Sequence, residues 1–225
     1  MAPAERQSFQ LIDTEDSLSF PPNDPFRDHS VDAPADVAII IGSDIAHGLA
    51  SISTSGFTAV LLELRSECLG AHVSEDFGRE GSNILGFNRF RLGDAPASTL
   101  IEIVSQPATT EKAKGAAGAV FEAAGFATVF CKDSPGRIVD CLIRPYFNQA
   151  LTALDDELAD AEQLDRALML GLGYLRGPVA LLTEGGLHDH FRVSQSIYAA
   201  TGDTAYLPAR RAQTGVERKR KGVYP

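Results

Sequence analysis

The chain has no Gly-x-Gly-x-x-Gly turn behind any of its apolar segments. Without that turn, backbone amides lose their usual close approach to a dinucleotide pyrophosphate. Cysteine is scarce. Cys68, Cys131 and Cys141 are odd in number and scattered, which fits a reducing cytoplasmic setting better than a disulfide framework. No apolar run approaches the roughly 20 residues that span a bilayer. The opening Met-Ala-Pro-Ala-Glu-Arg is followed by no hydrophobic signal core, so no membrane or export role is expected. Basic residues are outnumbered, 20 Lys and Arg against 30 Asp and Glu, for a net charge of −10. A nucleic-acid surface needs the opposite balance.

What is present suits a folded globular chain. Its 225 residues, 44% hydrophobic and 22% charged, are enough for one large or two small domains with a real core. Residues 1–34 are rich in Pro, Asp and Ser, with isolated Phe9, Leu11 and Phe20, and read as a mobile tail. Val37-Ala38-Ile39-Ile40-Ile41, closed by Gly42, is a continuous apolar run of the kind buried on both faces of a parallel sheet. Ser43 or Asp44 is placed to cap a short helix through Leu49. Further strands are expected at 58–64, 84–90, 99–104 and 126–131, with a helix opened by Thr109-Thr110-Glu111 and running to about Ala124. Past Pro135-Gly136, which must break the preceding strand, the pattern is helical at 138–158, 161–172, 178–187 and 191–201. The chain then finishes in a basic loop carrying Arg210-Arg211 and Arg218-Lys219-Arg220-Lys221. No internal repeat is visible. Strands alternating with helices, then helices alone, predict an α/β layer followed by an all-α domain.

Lys132-Asp133-Ser134-Pro135-Gly136 feeding a long helix resembles the domain junction of the 3-hydroxyacyl-CoA dehydrogenases. The same resemblance continues through Arg144-Pro145-Tyr146-Phe147-Asn148-Gln149-Ala150, Leu164-Asp165, Met169-Leu170-Gly171-Leu172-Gly173-Tyr174 and Gly177-Pro178. Tyr198, Thr201-Gly202-Asp203 and the closing Lys221-Gly222-Val223-Tyr224 complete it. Each piece is weak alone, but several in one order over about 90 residues are specific. Upstream the likeness thins. Gly86-Phe87-Asn88-Arg89-Phe90 sits where the family has Gly-x-His-Phe-Phe, and Asp94-Ala95-Pro96 through Val104 resembles the Pro-rich segment and strand that follow it. Ala35-Asp36-Val37 resembles the start of the family's fourth strand, which would leave the whole first βαβαβ half absent.

The fold class implied is α/β, a truncated Rossmann-like parallel sheet domain at 35–134 followed by the family's all-α C-terminal domain at 135–225. The resemblance implies NAD as cofactor, an acyl-CoA ligand, and a homodimer, or pairing with a full-length relative, through 135–225. It also implies a chemistry. Oxidising a secondary alcohol needs a base for the hydroxyl proton and a nicotinamide to take the hydride. The family's base is a His oriented by a Glu. Glu102 matches the Glu, but Asn88 stands at the His position, and an amide cannot take the proton. Glu67 replaces a serine that bonds the substrate hydroxyl, and Asp140 replaces an asparagine beside the reacting oxygen. Both add negative charge where an anionic substrate would lie, and either is a candidate substitute base. His188-Asp189-His190 lacks a third metal ligand and reads as a helix-end surface turn. The expected protein is therefore a family relative, either a non-catalytic acyl-CoA-binding or subunit-pairing chain or an active NAD-dependent dehydrogenase.

Overall fold

The computed structural model describes residues 8–32, 34–73, 83–93 and 95–221. They divide into two compact units, one of residues 1–90 and 97–137, the other of 91–96 and 138–225. The strand-to-helix junction thus falls at Arg137, and the loop 91–96 groups with the helical unit.

The first unit is a six-stranded sheet whose strands lie side by side in chain order: β1 (Phe9–Thr14), β2 (Val37–Gly42), β3 (Ala59–Glu63), β4 (Ile84–Asn88), β5 (Leu100–Ser105) and β6 (Ala127–Lys132). All neighbours are parallel except β4 and β5. That exception has a simple reason. Only about a dozen residues separate the two strands and they hold no helix, whereas a parallel return needs a full crossover. β2 and β3 are buried along their whole length, as their continuous apolar runs require.

Two apolar layers sandwich the sheet. On one face α1 (Ile45–Ala50), capped by Asp44 through its bond from the His47 amide, and the start of α2 (Gly70–Val73) pack over Ile40, Leu62 and Val104. On the other face α3 (Glu111–Ala123), capped by Thr110, lays Ala113, Ala117, Val120 and Phe121 over Val37, Ile39, Leu61 and Ile103.

The expected tail is overturned. Residues 9–14 form β1, in register with β2 from Phe9↔Val37 to Thr14↔Gly42. The connection that follows returns across the α3 face of the sheet without an α-helix. Phe20 and Phe26 are its anchors, stacked at 4.2 Å and set among Phe9, Phe87, Phe121 and Phe126. Charged side chains fix its backbone. The Arg27 guanidinium donates to the Phe20 carbonyl and pairs with Asp13. Arg89 donates to the Ser19 carbonyl, pairs with Asp24 at 2.6 Å and lies over the Phe126 ring. Low average hydrophobicity hid this segment, because a few aromatic anchors carry it. Since it crosses on the face opposite α1, its hand is the reverse of β2–α1–β3, a reversal found in only about 2% of parallel connections.

The second unit is helical: α4 (Arg137–Asp155), α5 (Ala161–Leu172), α6 (Pro178–Leu181), α7 (Leu187–Thr201) and α8 (Arg210–Arg220). A wide turn at Leu182–Gly186, with Gly185 at φ 130°, separates α6 from α7, so the break falls before Leu187 rather than after it. The basic terminus is not a loop. It forms α8, whose Ala212 is fully buried and whose Arg211 pairs with Asp155 at 2.5 Å. Asp94 and the closing Gly222-Val223-Tyr224 lie outside the described residues. No helix among the described residues is long and apolar enough to cross a membrane.

Candidate active site

β4 and β5 run antiparallel with Asn88 directly opposite Glu102. Residues so paired project to the same face with Cβ atoms about 5 Å apart, so the two residues matched by resemblance to the family's base and its carboxylate are neighbours through the sheet itself. Glu102 is 1% exposed. The register therefore brings together the two residues that sequence reasoning had paired, with an amide where an imidazole would act.

Glu67 follows β3 in a loop that its own side chain holds. Its carboxylate accepts the backbone N–H groups of Arg65 and Ser66, at 3.1 and 3.0 Å, and lies 3.4 Å from His72 Nε2. Burial alone would raise its pKa, but the His72 contact and the two amides outweigh that and hold it at about 2. So strong an acid is a poor proton acceptor near neutrality. Arg137, 3% exposed, donates its guanidinium to the carbonyls of Arg65 and Glu67 and so closes the same loop from outside. Nothing in the sequence flagged Arg137. Its role depends on backbone carbonyls, which no motif displays.

Asp140 belongs to the helical unit. It is buried and accepts from Arg144 Nε at 2.7 Å, and Arg144 in turn reaches Asp189 at 3.0 Å. Its carboxylate is thus neutralised inside an ion network. His188 is exposed on α7, but His190 is fully buried rather than at a surface turn. Asn148 Nδ2 donates to the Ala205 carbonyl, so its Oδ1 is an acceptor. His190 Nε2–H must then donate to it, at 2.9 Å, while Nδ1 faces the Ser194 hydroxyl. No group of three metal-ligating side chains occurs among the described residues.

In open α/β sheets ligands sit beyond the carboxyl ends of the strands, where the strand order reverses. This sheet has no reversal, because its strands follow chain order from edge to edge. The carboxyl ends of β1 to β3 are covered by the connection after β1. Ser43 N–H donates to the Glu15 carbonyl, and the buried Glu63 carboxylate accepts from Ser19 N–H at 2.6 Å and Gly42 N–H at 2.8 Å. The turn itself is Thr14-Glu15-Asp16, with both acids at positive φ and no glycine. A side chain added at Gly42 would meet the Glu15 carbonyl at 2.3 Å, so this corner is already filled by the chain's own backbone. Elsewhere a cavity of about 520 Å³ opens at the ends of β5 and β6, lined by Ser105, Gln106, Lys114, Lys132 and Asp133. Of its two lysines, Lys114 pairs with Glu111 at 2.9 Å, while the Asp133 carboxylate accepts the Leu69 and Gly70 amides.

Residues 136–224 match the family model for the 3-hydroxyacyl-CoA dehydrogenase C-terminal domain. The chain's C-terminal domain is thus that of the 3-hydroxyacyl-CoA dehydrogenases. It is 37% identical over 92 residues to the mitochondrial hydroxyacyl-coenzyme A dehydrogenase of Homo sapiens, a match covering 41% of this chain and 29% of that protein. It is 34% identical over 106 residues to 3-hydroxyadipyl-CoA dehydrogenase of Escherichia coli K12, covering 47% of this chain and 22% of the relative. The chain thus matches under a third of the length of either relative. In structure it resembles the E. coli K12 3-hydroxybutyryl-CoA dehydrogenase, with a TM-score of 0.71 and 26% identity over 89% of this chain and 42% of the other. The (S)-3-hydroxybutyryl-CoA dehydrogenase of Ralstonia eutropha shares the fold at a TM-score of 0.70, with 21% identity over 82% of this chain and 66% of the other.

Proposed function

We propose that this member of the 3-hydroxyacyl-CoA dehydrogenases is a non-catalytic relative, retained for pairing with other subunits or for binding acyl-CoA. The observation that carries this reading is the covered carboxyl end of β1 to β3. Glu15 and Asp16 stand at the turn, and Glu63 clamps the return connection over the strand ends. Pyrophosphate needs bare amides and close backbone approach there, and carboxylates repel it. NAD, the cofactor of the family, does not fit these residues.

The proton side of the chemistry is weakened in parallel. Asn88 cannot accept a proton, Glu67 is held as a strong acid by its own loop, and Asp140 is paired with Arg144. General-base catalysis contributes about 10²–10⁴-fold, so its loss alone would slow the reaction without ending it. Combined with a filled cofactor corner, hydride transfer has no support. Between the two retained roles, the charge balance favours pairing. Of the lysines lining the open cavity, Lys114 is paired with Glu111 and Lys132 stands next to Asp133, too little local positive charge to override the net −10 against a CoA phosphate.

The Asn88–Glu102 register favours the second reading, an active NAD-dependent 3-hydroxyacyl-CoA dehydrogenase. One assay separates the two. Purified protein is mixed with acetoacetyl-CoA and NADH, absorbance at the nicotinamide band is followed, and NADH is titrated separately by fluorescence. The expected outcome is no turnover above an Asn88→Ala control and no saturable NADH signal. Asn88→His is expected to stay equally inactive, because it restores a base beside Glu102 without a seat for the coenzyme. Turnover in the unmodified chain would defeat the non-catalytic reading.

A further inference from the structure

β6 is the last strand of the sheet, and nothing among the described residues pairs with its outer edge. Such an edge is a template for another strand. Ala127 N–H donates to the Thr99 carbonyl, which turns the odd-numbered residues of β6 toward β5. By the alternation of a parallel ladder, Thr128, Phe130 and Lys132 present their amides and carbonyls outward. The same three side chains point to the α3 face. Thr128 donates to Glu122 on α3 at 2.8 Å, and the Phe130 ring lies 3.8 Å from where a side chain on Gly118 would stand. Phe130 is nevertheless 45% exposed, at the rim of a groove of about 520 Å³ along α3. A Cβ added at Gly115 in that groove meets nothing within 4 Å, so another backbone or ring could come close.

We infer that β6 pairs antiparallel with β6 of a second copy of this chain, across a two-fold axis through Phe130. Strand alternation and symmetry together allow this register. Phe130 faces Phe130 of the other copy, and Thr128 faces Lys132, each in a hydrogen-bonded position because all three residues turn their backbone outward. The charges agree with it. Lys132 forms no ion pair among the described residues, and in this register it arrives beside Thr128, whose hydroxyl already holds the Glu122 carboxylate. Two Lys132–Glu122 pairs form, one on each side of the axis. The glycines of α3 leave room for the two helices to close over the paired rings. A strand from an unrelated protein would have no reason to match this pattern, so the occupant is a second copy.

The test uses the geometry of the axis. Residues facing each other in a hydrogen-bonded antiparallel pair have Cα atoms about 5.5 Å apart, a separation that suits a disulfide. Phe130→Cys in the full chain, under mild oxidation and read on a non-reducing gel, is expected to give a cross-linked dimer well above both the unmodified chain and an exposed Ser55→Cys control. Phe130→Asp is expected to weaken self-association at least about tenfold by sedimentation, as loss of a central aromatic anchor does. Lys132→Glu should weaken it as well, and Glu122→Lys in the same chain should restore it. Cross-linking of Phe130→Cys no greater than in the two controls overturns the proposal and leaves the edge to a strand of some other protein.

Discussion

His190 is a small case of how a histidine becomes purely structural. It is enclosed, its Nε2–H is committed to Asn148, and Asn148 also takes the Ala209 amide and donates to Ala205. Burial, reinforced by the Arg144 charge and only partly offset by Asp189, lowers its pKa to about 3. In the unfolded chain it would protonate near 6.5. The unfolded state therefore binds more protons between those values, so stability is complete above pH 6.5 and is lost as pH falls toward 3. The limiting slope is about 1.4 kcal/mol per pH unit. All five tyrosines lie beyond residue 145 and the chain has no tryptophan, so tyrosine fluorescence reports the helical unit alone. Urea midpoints followed by that signal should drop from pH 6.5 to pH 4 in the unmodified chain. In His190→Gln they should be lower throughout and nearly flat over that range. Equal slopes in the two proteins would show that His190 titrates normally in the fold.

At the scale of elements, the connection from β1 to β2 does the work of a packed helix with few apolar residues. Phe20 is fully buried and touches four other rings, including Phe87 of β4 and Phe121 of α3. Phe20→Ala is expected to cost about 3–5 kcal/mol, the usual range for a buried aromatic truncated to alanine. Because the ring bridges the connection to the sheet, amide exchange in β1 should rise before exchange in β3. Uniform loss of protection would mean instead that β1 is integral to the sheet without its anchor. The unusual hand of this connection fits the same picture. Residue-specific anchors, rather than the ordinary strand–helix–strand rule, hold β1 beside β2. This also explains what the sequence left legible. β2 is apolar throughout, β3 and β5 are mainly apolar, and α3 to α5 carry helical periodicity, so pattern alone located them. β1 is a half-polar edge strand and α8 is overwhelmingly charged and polar, so neither offers the apolar content by which a core element is noticed. Asn88 and Glu102 were recoverable as a pair from motif resemblance. The loop role of Glu67 was not, because its partners are backbone amides of Arg65 and Ser66.

At the scale of the whole molecule, the proposals place contacts with other chains on two separate surfaces. The β6 edge is one, and the proposed pairing face of the helical unit is the other. That unit exposes Leu170, Leu172 and Leu175 at 76%, 62% and 94%, a run of apolar side chains within six residues at the end of α5 and just past it. Clustered exposure of that kind marks a contact surface rather than ordinary scatter. Two different two-fold interfaces on one chain do not close on a dimer. Used together they link chains into a larger ring or an open string, whereas either alone stops at two. The masses of three variants distinguish these cases. Phe130→Asp should leave a discrete dimer held by the helical unit, Leu170→Glu with Leu175→Glu should leave one held by β6, and all three changes together should give a monomer by light scattering at matched concentration. The unmodified chain should then be heavier than a dimer and grow with concentration. A dimer that survives all three substitutions would place the real interface on neither surface.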